Sequence, residues 1–473
     1  MFSTEGHAGA TPMPPARCTL PPDEGGRVLD RLAGLDQVIP PHQIGHALAS
    51  AGRTNPRSCP LTHEVVLRVV LAMGVLSDLP IRQVFKHARR LRIDEASPGR
   101  SALCQARRRL GVAPLRHPFA RVARPLATPE TPGAFYRGLR LVGIDGTLLD
   151  VPDTPTNARA FGRPTGGRGD GAFPQLRKVS LVELGTHAEI AVALKSRRCG
   201  ERTAAEGLWR HLPADALLLA DRGFYSYPLW KRLELQGVRR LWRVVSSLVL
   251  RPTRRLADGS YLADVYRKPY ERAADRNGIA VRVIRYARDD PARAGHGREH
   301  VPMTDLLDPA EAPARELIAL YHERWEHELA FDEQKTHLDP RRAHKPAAVR
   351  SETPCGVLQE VYALSLAHYA VRALMAAAAA EVGGDPDRLS FTGCVQVLRC
   401  RLPECDGRTA ASFAAWSAAL LAELRGERVD PRRDRVNPRV VKQKVKPWAK
   451  KRPEHRRPPP MTKRFAETVV MVN

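Results

Sequence analysis

Apolar and polar positions change period along the chain, and each change marks a boundary. Over residues 24–130 the repeat is helical. Val65, Val66, Leu67, Val69, Val70, Leu71 and Met73 fill one buried helix, and Ile81, Val84 and Phe85 recur at i, i+3, i+4 within residues 80–92. The short turn at 77–80 fits a helix-turn-helix and fits a plain helical bundle equally well. Residues 135–245 read differently. Short apolar runs at 139–144, 179–184, 190–194, 216–220 and 240–245 predict strands, with helices over 201–211 and 227–236. Three strands, helix, strand, helix, strand is an α/β pattern that begins as an antiparallel meander.

Residues 246–311 predict a small β-rich insertion, with strands at 261–266 and 280–286 among Gly-, Asp- and Arg-rich turns. Residues 312–425 are helical again. A long helix over 313–338 opens on a proline in its first turn and closes before Asp339 and Pro340, and two Ala-rich helices follow at 355–380 and 409–424. The ends lack such periodicity. Residues 1–23 hold Pro12, Pro14, Pro15, Pro21 and Pro22 and are expected to be disordered, and 426–473 form a basic tail that includes Lys442, Lys444, Lys446, Lys450 and Lys451. Six segments result: a Pro-rich tail, a helical N-terminal domain expected to bind DNA, a core in two parts (135–245 and 312–425), the insertion between them, and the tail.

At 473 residues the chain exceeds what one core usually organises, and a 43% hydrophobic, 27% charged composition is ordinary for a globular protein. The net charge of +25 is not ordinary. It favours a polyanionic partner, either nucleic acid or an anionic membrane surface. A spanning helix is a poor reading, because Glu360, His368 and Arg372 interrupt the most apolar stretch, 356–380, and mark it as a buried core helix. The N-terminus lacks the basic-then-apolar order of a secretory signal. Eight scattered cysteines include no C-x-x-C pair, and the spacing of Cys394, Cys400 and Cys405 fits no common zinc pattern, so reduced thiols in a cytoplasmic protein are expected. The glycine-rich stretch 162–171 lacks the G-K-[ST] ending of a phosphate loop and reads as a flexible loop.

Two aspartates carry the first chemical signal. Asp145 and Asp221 each follow an apolar strand, where ligand sites of open α/β sheets form. A carboxylate there is costly to bury unless it is paired or binds a metal, though turn and cap roles also use aspartate. The long helix adds a stripe. Tyr321, Glu328 and Lys335 are seven apart, so each lies within about 20° of the last around the helix, and Arg324 shares the face four residues before Glu328. Such a stripe is also the usual pattern of a solvated face with i, i+4 salt bridges. A zinc-protease helix is excluded, because His322 and His327 are five apart and diverge by roughly 140°.

Tyr321, Arg324, Glu328 and Lys335 reproduce a Y-x2-R-x3-E-x6-K signature, and in this the chain resembles bacterial insertion-sequence transposases of the insertion element four family. The segments Ile144-Asp145-Gly146-Thr147, Gly185-Thr186-His187 and Ala220-Asp221-Arg222-Gly223-Phe224-Tyr225-Ser226 look like further motifs of that family, and residues 39–85 are similar to its N-terminal domain. The resemblance covers about residues 25–450. It implies a ribonuclease-H-like mixed sheet flanked by helices, with the third carboxylate supplied after an inserted β region, 107 positions beyond Asp221. Asp145, Asp221 and Glu328 would be the catalytic, metal-binding triad, and Tyr321, Arg324 and Lys335 would contact DNA phosphates. Two Mg²⁺ ions, with Mn²⁺ as substitute, suit an all-carboxylate set. The implied activity is metal-dependent cleavage at the ends of an insertion sequence and strand transfer into target DNA. The implied partners are double-stranded DNA with terminal inverted repeats, target DNA and a second copy of the chain, with no membrane. A structure-specific nuclease on the same core and an inactive DNA-binding relative are the alternatives. Trp242 is read as core.

Overall fold

A computed structural model describes residues 30–53, 61–88, 97–166, 169–245, 247–274, 276–287, 299–338, 349–405 and 409–430. The expected N-terminal disorder at 1–23 and nearly all of the basic tail lie outside these residues.

One mixed sheet organises the molecule. Five of its strands are β1 (Leu139–Asp150), β2 (Gln175–Glu183), β3 (Ala188–Ser196), β4 (Ala216–Ala220) and β5 (Arg239–Arg243). They lie in the order β3-β2-β1-β4-β5, with β1 antiparallel to β2, and with β4 parallel to both β1 and β5. This is the ribonuclease-H-like arrangement that the resemblance implies. β4, Ala-Leu-Leu-Leu-Ala, is buried at every position because both of its faces are covered, so it shows no alternation.

The strands after 250 extend this sheet. β6 (Pro252–Arg255), β7 (Tyr261–Val265), β8 (Ile279–Val283) and β9 (Pro302–Thr304) continue it beyond β5, with β9 pairing Met303 against Trp242. The stretch 165–170 forms two short paired strands, Thr165–Gly166 and Gly169–Asp170, where a loop is expected; residues 167–168 are not described.

Helices α1 (Pro41–Ser50), α2 (His63–Val75), α3 (Ile81–Ala88), α4 (Arg100–Leu110) and α5 (Ala113–Val122) make the N-terminal bundle. Thr62 caps α2 by accepting from Val65 N at 3.2 Å. Within residues 65–75 of α2 every residue but the half-buried Arg68 is buried, packed largely against α6 (Pro354–Ala380), and this burial explains the long apolar run. Polar ties reinforce the docking. Gln359 Nε2 donates to Arg107 O at 2.9 Å and to Gly111 O at 2.7 Å, and Tyr369 OH donates to Arg124 O at 3.1 Å.

α6 is long and apolar enough to cross a membrane, but it is largely buried inside the protein. Its three interrupting residues each have buried partners: Glu360 accepts from Arg350 N and Ser351 Oγ, while His368 and Arg372 both meet Glu333. The six described cysteines are free thiols.

Candidate active site

Asp145 sits inside β1 and not at its end, a correction to the strand-end placement. The opening in the sheet arises otherwise. The parallel pairing of β1 with β4 stops at Ile144↔Ala220, and from Asp145 onward β1 pairs only with β2, through Asp145↔Ser180. Asp145 and Asp221 therefore follow consecutive partners on neighbouring strands, which run about 4.8 Å apart. Their backbones steer the carboxylates: Asp145 Oδ1 accepts from Gly146 N at 2.8 Å, and Asp221 Oδ1 accepts from Arg222 N at 2.7 Å.

The expected helix over 313–338 is not one regular α-helix. α7 (Ala314–His322) ends at a tightened turn, where the amides of Glu323, Arg324, Glu326 and His327 each bond three residues back. α8 (Trp325–Asp332) follows, and Glu333–His337 is a π-helical turn, closed by Leu338 N to Glu333 O. Tightened turns rotate further per residue and widened turns rotate less, so the seven-residue spacing alone does not set the face. Contacts across to the sheet do. Tyr321 OH donates to Ala220 O at 3.4 Å, Arg324 Nη1 is 3.3 Å from Asp145 Oδ2, Arg324 Nη2 is 3.6 Å from Glu328 Oε1, and Lys335 Nζ bonds Thr147 Oγ1. All six residues named from the sequence thus gather at the open edge between β1 and β4.

Electrostatics agree with a gathered site. Burial pushes the Asp145 carboxyl above the usual aspartate range, Arg324 and the Gly146 amide oppose this, and the charges of Glu328 and Asp221 add to it. Burial pulls Lys335 below the ordinary ammonium range, helped by the charge of Lys178. Burial also raises the Tyr321 phenol far above its ordinary value, so it remains a neutral hydrogen-bond donor.

The sequence reading missed a fourth carboxylate. Glu201 opens the short helix Glu201–Ala205 after β3, and its acid is raised by burial and then by the charges of Asp145 and Asp221. Glu201 Oε1 fills the space above Gly146, where a Cβ would stand 1.9 Å away. Glycine at 146 is needed for this approach. In sequence Glu201 looks like any acid favoured at a helix N-terminus, so no pattern marks it. Trp242 is core, as expected: it is fully buried and donates to Leu218 O at 3.1 Å.

A ribonuclease-H-like sheet with acids gathered at its central strands defines the class of enzymes that transfer phosphoryl groups of nucleic acids. Residues 136–353 match the transposase DDE domain family, and residues 29–120 match the insertion element 4 transposase N-terminal family. The transposase InsG for insertion sequence element IS4 of Escherichia coli (strain K12) is 29% identical over 430 residues, spanning 88% of this chain and 93% of that one. InsZ of the same strain is 28% identical over 211 residues, 43% of this chain and 68% of its own. The chain belongs to the insertion element 4 family of DDE transposases.

Proposed function

We propose that Asp145, Asp221 and Glu328 are the catalytic metal ligands of this transposase and that they hold two Mg²⁺ ions, with Mn²⁺ as substitute. The observation that carries the reading is the register of β1 and β4, which sets Asp145 beside Asp221, together with Arg324 bridging Asp145 to Glu328. The donor set fits the ions. It is made of hard carboxylate oxygens, and the guanidinium of Arg324 stands where positive charge is needed. Divalent ions bound there supply Lewis-acid polarisation of a phosphoryl oxygen and a more acidic water or 3′-hydroxyl.

The remaining groups act on the DNA. Arg324 offers a planar fork to a phosphate, Lys335 a compact charge, and Tyr321 a neutral hydroxyl donor. Attack by water gives strand cleavage at the element's ends, and attack by the freed 3′-hydroxyl gives joining to target DNA. Glu201 is an additional carboxylate of the same pocket, coupled by charge to Asp145 and Asp221 and facing Arg177 at 3.7 Å.

The N-terminal bundle is a DNA-binding surface. α3 exposes Arg82 and Lys86, α4 exposes Arg100, Arg108 and Arg109, and α5 exposes Arg116 and Arg121. These suit phosphate contacts to terminal inverted repeats, with binding that weakens steeply as salt rises. Synapsis of two ends calls for a homodimer on DNA, in the cytoplasm and on the nucleoid.

The deciding experiment compares Glu328→Gln with the unaltered chain. The variant should bind element ends with unchanged affinity and lose cutting, whereas normal cutting would remove Glu328 from the triad. Supplying a pre-cleaved end and seeking joined products separates a transposase reaction from simple hydrolysis.

A further inference from the structure

Polar contacts tie the stretch 324–335 to β1 and β2, and they fall on two cross-strand pairs. Asp145 lies opposite Ser180, and Thr147 lies opposite Lys178. Partners opposite each other in an antiparallel ladder, and residues two apart on one strand, project from the same face. On β1, Asp145 meets Arg324 at 3.3 Å and Thr147 Oγ1 bonds Lys335 Nζ. On β2, Ser180 Oγ stands 3.1 Å from His327 Nε2, and Lys178 Nζ donates to Gln334 Oε1. The contacts on β1 use residues of the Y-R-E-K signature. Those on β2 use His327 and Gln334, which lie outside it.

Gln334 and Lys335 are consecutive, yet they grip the two members of one strand pair. In a regular α-helix such neighbours diverge by about 100° and do not share a face. Here they belong to the π-helical turn Glu333–His337, closed by a bond from Leu338 N to Glu333 O five residues back. That turn holds one residue more than an α turn and rotates less per residue. Both side chains can therefore reach the strands. The turn is also anchored at Glu333, which bonds His368 and Arg372 of α6.

The contact with Lys178 fixes position, since its charge is met elsewhere. Lys178 is buried, Glu189 on β3 lies 2.8 Å away, and Ser365 on α6 accepts from it at 2.7 Å. Gln334 is then the third acceptor for an ammonium with three N–H groups. Held from β3 and α6, Lys178 is a rigid post for the turn. Close packing does not do this alone: a cavity of about 20 Å³, room for one water, lies among Thr147, Lys178, Gln334 and Lys335. Lys335 itself is half-buried and rests on the Thr147 hydroxyl and on the Phe331 ring, whose centre is 5.6 Å away. Both of those contacts are neutral.

We propose that Gln334 and Lys178 are positioning residues of the transposase. Their buried contact holds the π turn against β2 and so sets the Lys335 ammonium over β1, where it meets a DNA phosphate. The inference rests on the reading of Lys335 as a phosphate contact given above. Salt screens a buried contact little and an exposed one strongly, so the hold persists under conditions that weaken DNA binding.

The test is equilibrium binding of the full chain to an end-containing duplex over a range of salt concentrations. Lys335→Ala should reduce the slope of log affinity against log salt by about one, the share of one phosphate. Gln334→Met, similar in size but without an acceptor for Lys178, should reduce it by the same amount. The double variant should then bind like Lys335→Ala alone, because a positioning residue has nothing left to place. A full slope in Gln334→Met beside a reduced one in Lys335→Ala overturns the inference and leaves the phosphate contact standing. Losses that add in the double variant overturn it as well, since Gln334 would then act on its own. No change in Lys335→Ala removes the phosphate contact, and the inference with it. Where Gln334→Met does not fold, amide exchange in the unaltered chain decides. Residues 334–338 should be protected like β2, and exchange as fast as in exposed loops overturns the hold.

Discussion

Arg324 Nη1 stands 3.3 Å from Asp145 Oδ2, a contact that joins the turn between α7 and α8 to a strand 179 residues earlier in the chain. The same guanidinium reaches Glu328, so one cation links two of the three proposed metal ligands. Arg324→Ala should lower cleavage by roughly 10²–10³-fold, the cost of removing one preorganised charge-stabilising donor. Arg324→Lys should recover only part of this, because an ammonium cannot fork between two acceptors. Single-turnover cleavage of an end-containing duplex is the measurement, and equal rates for Arg324→Ala and the unaltered chain would remove Arg324 from the chemistry.

Asp145 leads to a pH prediction. Burial raises its carboxyl above the ordinary aspartate range, so the folded state holds the proton more tightly than the unfolded chain does. Its contribution to stability is therefore complete below the unfolded value and falls as pH rises through the folded one. Without metal at neutral pH, Asp145→Asn should melt higher than the unaltered chain. Metal binding needs the carboxylate, so Mg²⁺-dependent cleavage should fall on acidification sooner than an ordinary aspartate would dictate. Melting curves and cleavage rates across pH check the two halves separately.

Glu333 behaves in the opposite sense. Against the cost of burial, Arg372, His187 and His368 hold its carboxyl well below the ordinary glutamate range. Its stabilisation is present above the unfolded value and is lost as pH falls toward the folded one. Glu333→Ala leaves Arg372 buried without its main partner and should cost about 3–5 kcal/mol in chemical denaturation.

Two glycines allow packing and chemistry to be separated. A Cβ at Gly143 would stand 2.8 Å from Leu184 Cδ2 and 3.1 Å from His327 Nδ1, both buried where α8 crosses the sheet. Gly143→Ala should destabilise by about 1–3 kcal/mol. At Gly146 the obstacle is the carboxylate end of Glu201, which can swing away. Gly146→Ala should therefore melt close to the unaltered chain yet cleave more slowly. Normal cleavage by that variant would show that the Glu201 carboxylate is not needed beside Gly146 for the reaction.

Much of the fold is legible in the residues. The order of apolar runs after 139 predicts the strands of the sheet, and the run without a polar face in 356–380 predicts the buried helix. The six proposed site residues stand out in the sequence only through the resemblance, because their spacing and their place near apolar strands fit turn, cap and solvated-face roles equally well. Glu201 was not readable, since an acid at a helix start has an ordinary local reason to be there. Nor was the break at residues 323–324, because φ and ψ stay near helical values there and only the hydrogen bonds shift from four residues back to three.

Local periodicity, then, determined which segments became strands and helices, since it depends only on which face of each element meets water. Tertiary structure decided where the sheet opens at Asp145, how Tyr321, Arg324 and Lys335 reach it, and that Gln334 meets Lys178. Those outcomes depend on pairing register and on helix packing between residues more than a hundred positions apart. No local pattern encodes such distances, because they are fixed only when the whole core closes.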